Sequence, residues 1–117
     1  MNAVAAGAIG LTLGVGLGAF GAHGLSHLGP VKLGWWGTAT QYEVMGSFGL
    51  IAVGLFERAP VSWRSPAGLL ILGMLLFSGS LYAMALGAPR WFGAITPFGG
   101  LSLMGAFAWF AIQAVQR

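Results

Sequence analysis

Residues 3–22 read AVAAGAIGLTLGVGLGAFGA, twenty residues with no charge and one hydroxyl, Thr12. A helix needs about 20 mostly apolar residues to cross the hydrocarbon core of a bilayer. Three more stretches have the same character. Residues 38–56 hold one carboxylate, Glu43, while residues 66–86 and 92–115 carry no charge. The sequence therefore predicts an all-α fold, an integral membrane bundle of four transmembrane helices that forms a single domain over residues 1–117. The first stretch lacks a basic n-region, and its apolar run exceeds the ~7–15 residues of a secretory signal. It is expected to remain as a helix.

Composition points the same way. Hydrophobic residues make up 57% of the chain and charged residues 6%, against about 25% charged in a soluble domain. Lys32, Glu43, Glu57, Arg58, Arg64, Arg90 and Arg117 cannot cover a water-facing surface. Glycine, at 21 residues, disfavours helix in water, but within a membrane it lets helix backbones approach closely. The absence of cysteine removes disulfides, thiolate metal sites and a cysteine nucleophile. The five basic residues form no patch, so no nucleic-acid partner is expected. Their distribution is a topology signal instead. Arg58, Arg64 and Arg117 fall on the side of the termini, and Lys32 and Arg90 on the other, which predicts cytoplasmic termini. Trp35, Trp36, Trp63 and Trp91 sit at segment ends, where an aromatic belt would place them.

Gly10, Gly14 and Gly18 recur every fourth residue, in phase with Ala6 and Ala22. They form one small-residue stripe, suited either to packing within the chain or to a dimer.

Because consecutive helices alternate in direction, the end of the first, the start of the second, the end of the third and the start of the fourth share one membrane half. That half receives His23, Gln41, Tyr42, Glu43, Ser78, Ser80, Tyr82 and Thr96. Thr12, Ser47 and Ser102 lie near the middle, and the opposite half offers little beyond Gln113. Glu43 leads the set, since an intramembrane carboxylate is costly unless paired, hydrated or protonated. The alternative is that it lies about two turns from the interface and reaches water. His23 is its expected partner, or else an interfacial residue closing the first helix. His23, His27 and Glu43 would make a two-histidine, one-carboxylate set, but Gly24 and Gly29-Pro30 argue for a loop there. No metal and no cofactor is expected. Ser78 and Ser80 have only His23 and Glu43 as possible bases, so an enzyme is not expected either. Thr96-Pro97 with Gly99-Gly100 either breaks the fourth helix at membrane depth, which would open backbone groups to a small ligand, or marks its start.

Gly18-Ala19-Phe20-Gly21-Ala22-His23-Gly24-Leu25, Thr38-Ala39 with Gln41-Tyr42, Phe77-Ser78-Gly79-Ser80-Leu81-Tyr82 and Ile95-Thr96-Pro97-Phe98-Gly99-Gly100 occur in this order. In this the chain resembles the DUF423 family, the YgdD-like and transmembrane protein 256-like small membrane proteins. The resemblance covers nearly the whole chain. It implies a helical inner-membrane protein, mitochondrial in the eukaryotic branch, and brings no established activity. Family members often carry Tyr-His-x-x-His in the second helix; here the corresponding positions are Glu43 and Gly46. A proton relay would survive that exchange, whereas a bis-histidine ligand site would not.

Three functional readings follow. The first is a non-enzymatic accessory or assembly subunit of a membrane complex, with the lipid bilayer and other membrane subunits, or further copies of itself, as partners. The second is a small oligomeric transporter or channel built on the His23/Glu43 half. The third is an enzyme acting on a lipid or quinone, for which only Glu43 and His23 are at hand.

Overall fold

The computed structural model describes residues 2–116; Arg117, which entered the topology argument, lies outside the described residues. Its elements are α1 (Ala3–Gly24), a 3-10 turn (Ser26–Leu28), α2 (Pro30–Glu57), α3 (Pro66–Ala85), a 3-10 segment (Arg90–Ala94) and α4 (Thr96–Gln116). The fold is all-helical, and its only pairing outside helices is an isolated bridge between Asn2 and Pro60 among the described residues. Three helical stretches are long and apolar enough to cross a membrane: Ala3–Gly24, Pro66–Ala85 and Arg90–Gln116. The longest helix, α2, is not one of them.

The helix ends follow from local chemistry. Asn2 caps α1 by accepting from the Val4 amide at 2.7 Å, and Ser65 caps α3 by accepting from the Ala67 amide at 3.0 Å. Pro66 takes the first position of α3, where its missing N–H is harmless. The same logic corrects the expected start of the second helix. Gly29 adopts a positive φ of 86°, which turns the chain, and Pro30 then opens α2 with its fixed φ. Gly29-Pro30 thus ends one element and begins the next. The stretch read as connector, residues 23–37, contains two turns of α2, which starts at residue 30 rather than 38. At the other end, Arg90–Ala94 forms the 3-10 segment, and α4 starts at Thr96 rather than residue 92, with Pro97 in its first turn. The Thr96-Pro97 pair is therefore a helix start and not a break.

Packing follows chain order: α1 lies on α2, α2 on α3 and α3 on α4, while α2 and α4 touch only briefly. Neighbours run antiparallel, since Gly7 faces Ser47 and Ile51 while Gly21 faces Trp36. No comparable contact joins α1 to α3 or α4 among the described residues, so the arrangement is an open array rather than a closed bundle. Its edges are correspondingly bare: 17% of the apolar window is buried in α1 and in Arg90–Gln116, against 44% in α3. The main core is centred on α2 and α3, around Leu50, Val53, Ala67 and Leu70, with Ala3 of α1 and Leu103 and Ala106 of α4 at its sides.

A Cβ at Gly99 would overlap the backbone of Phe77, whereas Gly105 faces open space. Gly99→Ala should destabilise the protein by about 1–3 kcal/mol, the usual range for overpacking. Gly105→Ala should leave stability unchanged or slightly raised. Thermal unfolding in mild detergent compares the two.

Candidate functional site

The buried face of α2 carries Trp36, Glu43 and Ser47, with half-buried Thr40 between them. Spacings of four, three and four put these residues on one stripe. They lie against the glycine side of α1. Gly7, Gly10, Gly14 and Gly21 are buried there, and Gly18 is half-buried. A Cβ at Gly10 would collide with Ser47 Oγ, one at Gly14 would come within 2.7 Å of Glu43 Oε1, and one at Gly21 would strike the Trp36 ring. Gly18 is looser, with Thr40 Cγ2 at 3.6 Å from such a Cβ. The Gly10–Gly14–Gly18 stripe thus faces α2 of its own chain.

Most polar groups at this end tie one helix to the next. Trp36 Nε1 donates to the Leu17 carbonyl at 2.8 Å, joining α2 to α1. Ser78 Oγ donates to the Ala39 carbonyl at 2.7 Å, and the Thr40 and Tyr82 hydroxyls bond at 2.6 Å; both join α2 to α3. Ser80 and Thr96 bond at 2.6 Å, and Ser102 Oγ donates to the Leu69 carbonyl at 2.8 Å, joining α3 to α4. The Ser102 link lies nearer the middle, and at the opposite end Gln113 Nε2 donates to Glu57 Oε2 at 3.0 Å.

The eight expected site residues therefore do not form one site. Ser78, Ser80, Tyr82 and Thr96 belong to these clasps. Tyr42 is half-buried against Phe77, with ring centroids 4.4 Å apart. His23 and Gln41 are exposed. Glu43 stands apart. It is 9% exposed, and neither its Oε1 nor Ser47 Oγ, one turn on, has a hydrogen-bond partner. The longer α2 also changes its depth. Glu43 faces Gly14, at the middle of α1, whereas His23 lies nine residues further along, roughly 13 Å at 1.5 Å per residue. The structure does not bring His23 to Glu43, and no three of His, Asp and Glu come together among the described residues. Sequence reasoning assigned Trp36 to an aromatic belt and Ser47 to the middle of the helices, passed over Thr40, and joined none of the three to Glu43. Their four-three-four spacing with Glu43 was the available signal, cut short because a helix starting at residue 38 leaves Trp36 outside it.

Trp36 is no interfacial belt residue. It is 4% exposed and edge-on to Tyr82, with centroids 4.5 Å apart, while Trp63 and Trp91 stay exposed. Above it, a crevice of about 340 Å³ between α1 and α2 is lined by Gly18, Gly21, Ser26, Leu33, Trp36 and Thr40 among others. Its floor at Thr40 lies one turn from Glu43. Larger clefts of about 690 and 600 Å³ flank the 58–65 loop at the opposite end, away from this stripe.

A family model described as a protein of unknown function, DUF423, matches residues 17–100. The chain belongs to the DUF423 family. The match takes in Trp36, Thr40, Glu43, Ser47 and every hydroxyl clasp except that of Ser102. A UPF0382 membrane protein of Staphylococcus saprophyticus is 43% identical over 99 residues, covering 81% of each chain. The UPF0382 inner membrane protein YgdD of Escherichia coli K12 is 37% identical over 105 residues, covering 87% of this chain and 80% of its own. No solved structure matches the chain. These relatives and the three apolar spans make this DUF423 member an integral protein of the inner-membrane type.

The Thr40–Tyr82 clasp can be weighed by a double-mutant cycle. Thr40→Val and Tyr82→Phe should each destabilise the fold, and the double variant should cost less than their sum. The expected coupling is about 0.6 kcal/mol, with ~1.7 the upper end for such bonds in membranes. Unfolding in detergent or bicelles measures it.

Proposed function

We propose that this DUF423 protein is a non-enzymatic accessory subunit whose four helices all span the membrane and whose α1 edge packs against helices of a larger complex. The outward face of α1 carries the reading. Ala5, Ala8, Thr12, Gly16 and Ala19 are all exposed, and Gly16 faces open space. The helix thus has small residues on two faces, one used by α2 and one bare, and close helix packing favours such faces. The commitment of most hydroxyls to clasps also favours a scaffolding role over chemistry.

Native mass spectrometry of the tagged protein, drawn from its own membrane in mild detergent, tests this. Another protein should accompany it at fixed stoichiometry, and Gly16→Leu should release that partner without unfolding the chain. Recovery of the chain alone, as monomer or as a defined oligomer, overturns the reading. In that case the crevice above Glu43 favours a small oligomeric transporter, tested by pH-dependent flux lost in Glu43→Gln.

A span for α2, with cytoplasmic termini, is part of the same proposal. Glu43 and Gln41 lower its hydropathy, but Glu43 is sheltered by α1. The chain has no cysteine, so single cysteines can be introduced cleanly. Ser26→Cys should react with an impermeant maleimide from the periplasmic side and Ser62→Cys only from the cytoplasmic side. Reaction of both from one side would mean that α2 does not cross.

A further inference from the structure

We propose that Glu43 and Ser47 form a reversible proton-binding site at mid-membrane, open to water on one side only through the crevice between α1 and α2. The inference rests on the reading that α2 spans the bilayer, but it is read out separately.

The first ground is the unpartnered pair itself. Glu43 Oε1 and Ser47 Oγ are both buried with no hydrogen-bond partner, pressed against the α1 backbone at Gly14 and Gly10. A carboxylate only accepts hydrogen bonds, whereas a carboxylic acid also donates, and a serine hydroxyl does either. The pair can therefore satisfy itself in both states. Ser47 donates to the carboxylate, or the protonated carboxyl donates to Ser47. Small side-chain adjustments and a hydroxyl rotation separate the two, so a proton can come and go without moving a helix.

The second ground is the lack of any cation to hold Glu43 charged. The only titratable side chain of α1 is His23, at its far end and exposed. The 3-10 turn beside α2 supplies His27, also exposed. Tyr82 is the one titratable group of α3; it is within electrostatic reach of Glu43 and bonds Thr40. No titratable residue occurs in α4. Within α2, Lys32 lies eleven residues back, roughly 16 Å at 1.5 Å per residue, and Glu57 is bonded to Gln113 at the other end. Protonation is the means of neutralising Glu43 that remains.

The third ground is one-sided access. The crevice runs from Ser26 and Leu33 down to Gly18 and Thr40. Its volume of about 340 Å³ holds several waters at ~30 Å³ each. One turn beyond its floor lie Gly14 and Glu43. Past Ser47 the interface closes. Gly7 sits against Ile51, Gly54 against Val4, and Leu50 and Val53 are fully buried, with no polar side chain among them.

Carbodiimides add to protonated carboxyls and leave a stable N-acylurea, so they report the proton on Glu43 directly. The protein in sealed vesicles is treated with lipophilic dicyclohexylcarbodiimide across a pH series, and the site is mapped by peptide mass. Glu43 and Glu57 are the only acidic side chains, so the map is unambiguous. Modification of Glu43 should fall roughly tenfold per pH unit above a single midpoint, and Ser47→Ala should move that midpoint. A water-soluble carbodiimide should modify Glu43 from the Ser26 side only. Gly18→Leu, which fills the crevice floor, should slow that reaction severalfold and leave the lipophilic reagent unaffected. Should Gly18→Leu fail to fold, Ser26→Cys closed with a bulky, reducible thiol adduct gives the same block at the mouth. Modification of Glu43 that is independent of pH, or absent with both reagents, overturns the site. Equal reaction from both sides overturns its one-sided access. A failed span for α2 would appear in the cysteine-labelling pattern, not in the pH curve.

Discussion

Two helix backbones approach closely only where side chains make room, and in this protein that place is the face of α1 made by Gly7, Gly10, Gly14 and Gly21. In lipid there is no hydrophobic gain from bringing apolar helices together, so van der Waals contact and interhelical hydrogen bonds must hold them. The glycine face supplies the first. Because it does, α2 can present a tryptophan ring, a carboxyl and a hydroxyl inward instead of leucines. Everything distinctive about the polar end follows. Trp36 reaches the Leu17 carbonyl, and Glu43 is shielded from lipid by a helix that offers it no partner.

The remaining interfaces use the second means. Two short hydroxyl links cross each of them: Ser78 and Thr40–Tyr82 from α2 to α3, Ser80–Thr96 and Ser102 from α3 to α4. Serine and threonine are small enough to pair without spreading the helices. The buried polar residues of this end thus have two destinations, while His23 and Gln41 stay exposed. Most hydroxyls become links between helices, and the carboxyl of Glu43 stays apart from them, one turn from Ser47, with its Oε1 unpartnered.

Much of this was legible in the sequence, because membrane helices declare themselves by length and lack of charge. The stretches at 3–22 and 66–86 match α1 and α3 within two residues. The second helix was harder. Its first turns hold Gly34, Trp35, Trp36 and Gly37, which read as interface, and Gly29-Pro30 reads equally as a loop or as a helix start. Only the positive φ of Gly29, a three-dimensional fact, decides between them. That eight-residue error cut Trp36 off from Thr40, Glu43 and Ser47, with which it shares a stripe. The hydroxyl cluster was visible as a cluster. Its division into pairwise links was not, since which hydroxyl meets which carbonyl depends on helix rotation, and hydropathy carries no information about rotation.

The open, chain-order packing bears on how the molecule comes to exist. Each helix leans mainly on the one made just before it, so no contact waits for a distant segment. A chain whose contacts are this local meets little loop-closure entropy during assembly. As the chain is made, α2 can dock on α1 before α3 has been synthesised, and α3 on α2 before α4. The Glu43–Ser47 pair would then be enclosed at the first of these steps, while half the protein is still to come.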